Sequence, residues 1–312
     1  MLLGRIPSHQ ELAERFYERV RQGRLIIPGA VDPLAGLLAK SAGFSVLYLS
    51  GAALSASYGL PDVGVLTMEE VTQRAASIIA ATGLPLVVDI DTGFGEVFNV
   101  VRAAQELSRV GVAAVQIEDQ EMPKRCGHLE GKRLVPPEGM VQKIRAIKRV
   151  CPTLFVLART DARACEGLEG AIARARLYGE AGADAIFPEA LESLEEFQRV
   201  REALKLPLLA NLTEFGKTPP LTAEDLFALG YEMVLFPVSA LRVAAKAMEE
   251  LYTHLAQKGS TREFLDRMQT RAQLYALIQY AAYEEFDRAI SALTPGPSPV
   301  AHPRERGAPG AG

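Results

Sequence analysis

The run Lys124-Arg125-Cys126-Gly127-His128-Leu129 sets a thiol between two cations and an imidazole. Positive charge favours the thiolate and an imidazole can relay a proton, so the pattern predicts a cysteine of depressed pKa that exchanges protons with a ligand. The opposing reading is an inert core thiol, because free cysteine is among the residue types most often buried. An apolar site would not bring Lys124, Arg125 and His128 within two residues of the sulfur, and Pro123 and Gly127 mark the stretch as a loop. The chemical reading is preferred.

Carboxylates form the second constellation. Asp89 and Asp91 end the run Leu-Val-Val-Asp-Ile-Asp, and side chains two apart on a continuous strand point the same way. Like charges so close are costly without a cation. Glu118, in Gln116-Ile117-Glu118-Asp119-Gln120, adds a third acid, and oxygen ligands from adjacent strands suit Mg²⁺ or Mn²⁺. Caps and turns are the ordinary use of a single Asp, but not of such a cluster.

Ala158-Arg159-Thr160-Asp161 places a guanidinium where it can grip a substrate carboxylate bidentately, an internal Arg159–Asp161 pair being the plainer alternative. Glu189, Asn211, Thr213 and Arg242 extend the polar set. Ser50-Gly51-Ala52-Ala53 is a small-residue turn whose amides could cradle a carboxylate, though small residues also simply turn a chain. Tyr58-Gly59-Leu60-Pro61-Asp62 reads as a loop with a further acid, able to close over the site. Together these residues fit a small polyanion held by two arginines and a metal.

Positioning them requires strand ends gathered at one mouth. Eight short apolar runs alternate with helical stretches: Leu25–Pro28, Val46–Ser50, Leu86–Asp91, Ala114–Glu118, Leu154–Arg159, Ala185–Pro188, Leu208–Asn211 and Met233–Pro237. Intervening segments such as Met68–Ala81, Asn99–Val110, Glu138–Val150, Leu168–Ala181 and Leu194–Leu204 read as helices, and Gly43, Gly83, Gly111, Gly182 and Gly230 as their stops. A doubly wound sheet is the competing α/β arrangement. The count of eight and the lack of an early GxGxxG turn favour a (β/α)8 TIM barrel, whose strand ends share one active-site mouth.

Residues 8–22 read as an additional N-terminal helix opened by a Ser8/Glu11 capping box. Ser239–Ile290 reads as helical almost throughout, longer than one barrel helix, so its end is expected to pack on a neighbouring subunit. Residues 1–293 are expected to form one domain, and the Pro/Gly-rich 294–312 a disordered tail.

The chain has 312 residues, 48% of them hydrophobic, enough for a large core. Its 34 basic and 38 acidic residues give a net charge of −4 spread along the sequence, which excludes a nucleic-acid footprint. Cys126, Cys151 and Cys165 lack zinc spacing and cannot all pair, as in a reduced, cytoplasmic compartment. No apolar run approaches the roughly 20 residues of a membrane span, and the N-terminus has no signal-peptide pattern.

The motifs KRCGHL, VDIDTGFG, QIEDQ, ARTDA, FPEA, NLTEFG and MQTR, in this order, resemble the isocitrate lyase/phosphoenolpyruvate mutase superfamily over roughly residues 10–290. Within it they are similar to the 2-methylisocitrate lyases. The resemblance implies a Mg²⁺-dependent carbon–carbon lyase cleaving (2S,3R)-2-methylisocitrate to pyruvate and succinate in propionate breakdown, with Asp89 and Asp91 at the metal and Glu118 reaching it through water. It implies a substrate site of Ser50, Gly51, Ala52, Cys126, Gly127, Arg159, Glu189, Asn211, Leu212, Thr213, Arg242 and Arg271. Cys126 would protonate the departing carbanion, with Lys124, His128 and Glu189 tuning it, and Tyr48 is the family's usual candidate for the base, an aromatic wall being the plainer alternative.

It also implies a homotetramer with helix exchange and a small polycarboxylate as the ligand. Close relatives acting on 2,3-dimethylmalate, oxaloacetate or isocitrate are the alternatives; the isocitrate lyases usually carry insertions too long for this chain, and the phosphonate-forming mutases lack the cysteine. Ser-Gly-Ala-Ala departs from the Ser-Gly-Gly of some methylisocitrate lyases, adding a methyl group beside the expected carboxylate cradle.

Overall fold

A computed structural model describes residues 3–293. The segment expected to be a disordered tail, 294–312, lies outside the described residues. The chain divides into two compact units, Met1–Asp266 and Arg267–Gly312.

The first unit alternates strands β1 (Leu25–Pro28), β2 (Leu47–Leu49), β3 (Leu86–Asp89), β4 (Ala114–Glu118), β5 (Phe155–Thr160), β6 (Ala185–Pro188), β7 (Leu209–Asn211) and β8 (Met233–Phe236) with helices. These are α1 (His9–Gln22), α2 (Pro33–Ser41), α3 (Gly51–Ser57), α4 (Met68–Thr82), α5 (Val97–Arg109), α6 (Pro137–Val150), α7 (Ala162–Glu180), α8 (Leu194–Ala203), α9 (Ala223–Ala228) and α10 (Ser239–Lys258). All strand pairs are parallel, in the orders β2-β3-β4-β5-β6 and β1-β8-β7. Two parallel bridges, Gly29 to Tyr48 and Ile186 to Leu208, join these groups at both ends. Every strand therefore has two neighbours and the sheet closes into an eight-stranded barrel, which excludes the open doubly wound arrangement.

Strands filled on the inside and covered by helices outside must be apolar on both faces, and almost every strand residue is buried. The helices carry the expected punctuation. Ser8 and Glu11 form the α1 capping box, and Thr67 with Glu70 does the same for α4. Gly43, Gly83, Gly111, Gly182 and Gly230 all have positive φ, the left-handed turn that sends a finished helix back to the next strand. Helix α1 packs Phe16 edge-on against Phe155 at the start of β5, with centroids 4.8 Å apart.

Two expectations change. Strand β3 stops at Asp89 rather than Asp91, because Asp91 has φ +49 and its N–H turns back to Asp89 Oδ1 at 3.1 Å. The long C-terminal helical stretch is broken: Gly259, at φ +62, ends α10, a 3-10 turn covers Arg262–Arg267, and Thr270 caps a fresh start. Helices α11 (Arg271–Leu277) and α12 (Tyr280–Leu293) belong to the second unit, where Tyr275 and Tyr280 stack at 4.5 Å.

Candidate active site

The C-terminal ends of the strands open into a cavity of about 300 Å³. Its lining holds Tyr48, Ser50, Ala52, Asp89, Lys124, Cys126, Gly127, His128, Arg159, Glu189, Asn211, Thr213 and Arg242. Residues from seven of the eight strand ends or the loops after them thus converge.

The register explains the core of the site. Glu118 and Arg159 are paired across β4 and β5, so their side chains meet at one level, with Arg159 Nε 3.3 Å from Glu118 Oε2. Asp161 grips the same guanidinium bidentately, at 3.0 and 3.1 Å, and Glu189 Oε1 lies 3.8 Å away. The internal pair weighed against substrate binding is therefore present, yet Arg159 still lines the cavity. Burial works against its charge, but Asp161, Glu118 and Glu189 outweigh burial and hold it firmly protonated.

Asp89 and Asp91 converge although they are not alternate residues of one strand. A Cβ added to Gly51 would lie 3.2 Å from Asp89 Oδ2 and 3.3 Å from Asp91 Oδ1, so a side chain there would crowd both carboxylates. The Gly51 amide donates to Asp89 Oδ2 at 3.1 Å and the Ala53 amide to Ser50 Oγ at 3.3 Å. Two of the amides expected to cradle a substrate carboxylate thus serve the protein itself.

Burial and the neighbouring Asp91 push the Asp89 carboxyl up to about 6, and burial raises Glu118 well above the usual range. Glu118 Oε1 is buried without a partner, and Oε2 has only the Arg159 ion pair at 3.3 Å, short of a hydrogen bond. Among the described residues no three His, Cys, Asp or Glu side chains meet as a ready-made metal cage. Mg²⁺ asks for less, since it retains several waters and is commonly held by one or two carboxylates. Asp89, Asp91 and Glu118, whose Oε1 is unpartnered, fit such a partly hydrated cation.

Lys124 turns into this acidic pocket. Its ammonium pairs with Asp62 and lies 2.8 Å from Asp91 Oδ1. Burial alone would discharge it, but Glu118, Asp91, Asp89 and Asp62 together keep it protonated. Asp62, read from sequence only as an acid on a closing loop, is thereby placed at the cavity.

His128 bridges two loops. Its Nδ1 accepts the Lys217 amide at 3.0 Å, so the neutral ring carries its hydrogen on Nε2, which faces Glu189 Oε1 at 3.2 Å. Burial lowers its pKa and favours that neutral form. Gly127 is required by crowding: a Cβ there would collide with Glu189 Oε1 and come within 2.5 Å of Arg159 Nη2.

Tyr48 is buried and donates to Gln116 Oε1 at 2.5 Å. Burial, then the charge of Asp89, raises its pKa well above the usual phenol value, so it is held protonated. Arg242 donates to the Glu214 carbonyl at 2.5 Å and sits 5.3 Å from the centre of the exposed Phe215 ring. Leu212 does not line the cavity; its amide continues the ladder to the Leu235 carbonyl at 2.8 Å. Arg271 begins α11 in the second unit, whereas the lining is drawn entirely from the first.

Several residues that shape the site had no separate sequence signal. Lys143 of α6 donates to the Thr92 carbonyl at 2.9 Å and steadies the turn after Asp91. Gln120 holds the foot of the cysteine loop, its Oε1 accepting Arg125 N–H at 2.9 Å and its Nε2 donating to Arg125 O at 2.8 Å. Fully buried Asp119 accepts from Thr160, the Asp161 amide and Tyr178 at 2.7 to 3.0 Å. Gln120 and Asp119 lay within a recognised motif, so their position was marked but not their task.

A profile of the family described as phosphoenolpyruvate phosphomutase matches residues 17–256, the barrel and its strand-end acids together. The chain belongs to this family. Among its relatives, a 2-methylisocitrate lyase of Halalkalibacterium halodurans is 56% identical over 91% of this chain and 95% of the relative. Another of Bacillus subtilis is 53% identical over 93% and 97%. Solved structures of the phosphoenolpyruvate phosphomutase family and its superfamily share the fold. A 2,3-dimethylmalate lyase superposes with TM-score 0.85 at 33% identity, covering 94% of this chain and 99% of the other. A phosphonopyruvate hydrolase in complex with oxalate and Mg²⁺ gives 0.79 at 30% identity, covering 92% and 99%. Among the described residues no helix is long and apolar enough to cross a membrane.

Proposed function

We propose that the protein cleaves (2S,3R)-2-methylisocitrate to pyruvate and succinate, as a step of propionate breakdown through 2-methylcitrate. The observation that carries this reading is the joining of Cys126, Asp89 and Arg159 around one cavity, with Asp91 close behind Asp89 across Gly51, in a chain 56% identical to a 2-methylisocitrate lyase. Mg²⁺, with Mn²⁺ as substitute, is the cation proposed for Asp89 and Asp91, with Glu118 reaching it through water. When bound, it would supply positive charge for the substrate oxygens on which negative charge develops.

The residues divide the remaining work. Arg159 and Arg242 hold substrate carboxylates, Arg159 keeping its charge despite burial. Ser50, Ala52, Gly127, Asn211 and Thr213 shape the space around them. The substrate hydroxyl loses its proton, the carbon–carbon bond breaks, and the electron pair passes to the succinate-forming carbon. Cys126 gives that carbon its proton, while His128, held by the Lys217 amide with its Nε2 3.2 Å from Glu189, keeps the loop in register. Tyr48 serves as the base only with positive charge beside it, because burial otherwise keeps its phenol protonated.

A lactate-dehydrogenase-coupled assay for pyruvate, with and without Mg²⁺, tests the reading, and folded protein that leaves methylisocitrate intact would sink it. The same assay should include 2,3-dimethylmalate, oxaloacetate and isocitrate. Structures of 2,3-dimethylmalate lyase and oxaloacetate acetylhydrolase superpose at 0.85 and 0.84, and one methyl group is worth only about 1–3 kcal/mol of discrimination.

A cytoplasmic homotetramer with helix exchange is part of the proposal. In its support, all three cysteines are unpaired, and α10 buries none of its 20 residues, leaving Val243 and Tyr252 mostly exposed. An apolar hollow of about 830 Å³ lined from α2, α3 and α10, including Leu34, Leu38 and Met248, suits an exchanged helix. Light scattering of the parent and of Leu38→Asp reads this directly: dissociation supports it, and a monomeric parent refutes it.

A further inference from the structure

Lys132 belongs to none of the motifs above, yet its side chain is only 1% exposed and faces a fully buried Asp161. Its ammonium donates to the Gly127 carbonyl, one residue past Cys126, and to Asp161 Oδ1 at 3.1 Å. Asp161 in turn holds Arg159 bidentately. One cation therefore ties the backbone of the cysteine loop to the carboxylate that aims the guanidinium. An isolated buried ammonium is costly, so a solvated lysine would be expected unless this geometry were kept for a purpose.

We propose that Lys132 is a positioning residue that sets the distance between the Cys126 thiol and the Arg159-bound part of the ligand. It touches no ligand itself and acts through Gly127 O and Asp161. The Lys132 carbonyl accepts from Cys165 Sγ at 3.5 Å, which fixes the far end of the same strap to α7. Gly127 cannot carry a side chain without striking Glu189, so its carbonyl is the backbone handle by which the loop is held.

The kinetic part of this inference rests on the lyase reading; the thiol part does not. The test uses a Cys165→Ser parent, whose hydroxyl keeps a donor for the Lys132 carbonyl, leaving Cys126 as the accessible thiol because Cys151 is buried. In metal-free protein, Lys132→Met should speed alkylation of Cys126 by iodoacetamide at least about fivefold, since the loop opens more readily. With methylisocitrate and Mg²⁺ it should lower kcat about 100-fold with KM within about threefold, the cost of a reacting group misplaced by about 1 Å. Lys132→Arg should recover most of the loss.

Folded Lys132→Met with alkylation within about twofold and kcat within about threefold of the parent overturns the proposal, since loop opening and misplacement both predict more. Loss of kcat that Lys132→Arg does not restore, with alkylation unchanged, overturns it as well. Should Lys132→Met not fold, Lys132→Gln, which keeps a donor for Gly127 O, is read by the same criteria. A parent that cleaves no methylisocitrate refutes the lyase reading alone, because the alkylation rates still decide the role of Lys132.

Discussion

The Lys124 ammonium lies 2.8 Å from Asp91 Oδ1, so the loop that carries the thiol also reaches into the carboxylate pair proposed for the metal. An ammonium there neutralises Asp91 but repels a divalent cation at the same carboxylates. At the effective dielectric of a protein, unit charges about 4 Å apart interact by roughly 4 kcal/mol, so the repulsion outweighs the loss of a packing contact. Lys124→Met is expected to bind Mn²⁺ at least about tenfold more tightly, a change of about 1.4 kcal/mol. Titration followed by electron paramagnetic resonance gives the answer, and weaker binding would contradict the arrangement. Turnover should nonetheless fall.

Cys126→Ser should lower kcat by about 10²- to 10⁴-fold, the usual worth of a positioned general acid. Mn²⁺ affinity should stay at the parent value, because the thiol is absent from the carboxylate pair. Steady-state pyruvate release and metal titration on one preparation check both. Activity within a few-fold of the parent removes the thiol from its assigned task.

Metal affinity should depend on pH through Asp89. Its carboxyl is raised to about 6, so below that pH the protonated form dominates and a cation must displace a proton. Affinity is expected to fall as pH drops from 7 through about 6 and toward 5, by up to about tenfold per pH unit for a single proton. Isothermal titration in buffers of different ionisation enthalpy counts the released protons. No proton release at pH 6 contradicts the buried state of Asp89.

Gly29 joins β1 to β2, and a Cβ there would run into the Pro237 carbonyl, with Pro237 Cα at 3.2 Å. Neither backbone can yield without opening the barrel seam, so Gly29→Ala should destabilise by about 1–3 kcal/mol, as overpacking does. Gly139→Ala is the control. Its Cβ would meet only Val135 at 3.8 Å within helix α6, and it should be neutral or stabilise by up to about 1 kcal/mol. Urea unfolding of the two variants separates them, and equal midpoints would refute the crowding argument.

Periodicity made the barrel legible because each short strand has one apolar run and most helices a glycine stop, α6 and α8 excepted. Strands Leu25–Pro28, Ala114–Glu118 and Ala185–Pro188 match the expected bounds. The convergence of Asp89 and Asp91 was legible too, but for another geometric reason. A positive-φ turn at Asp91, not strand alternation, brings the carboxylates together, and no local pattern announces such a turn in a residue other than glycine. Lys124 was legible as a charge beside a thiol but not in its direction, because its partners Asp62 and Asp91 are remote in sequence. Gln116, Lys132 and Lys143 were silent for the same reason: each acts on a group that only the closed barrel brings near.

The twofold grip of Gln120 on Arg125 gives the cysteine loop a socket separable from its contents. The amide fastens backbone rather than side chain, so it is indifferent to what residues 126–131 are. Loops exchanged among barrels of this kind would therefore seat correctly only in hosts offering an amide at this position. Grafting experiments should carry the socket with the plug.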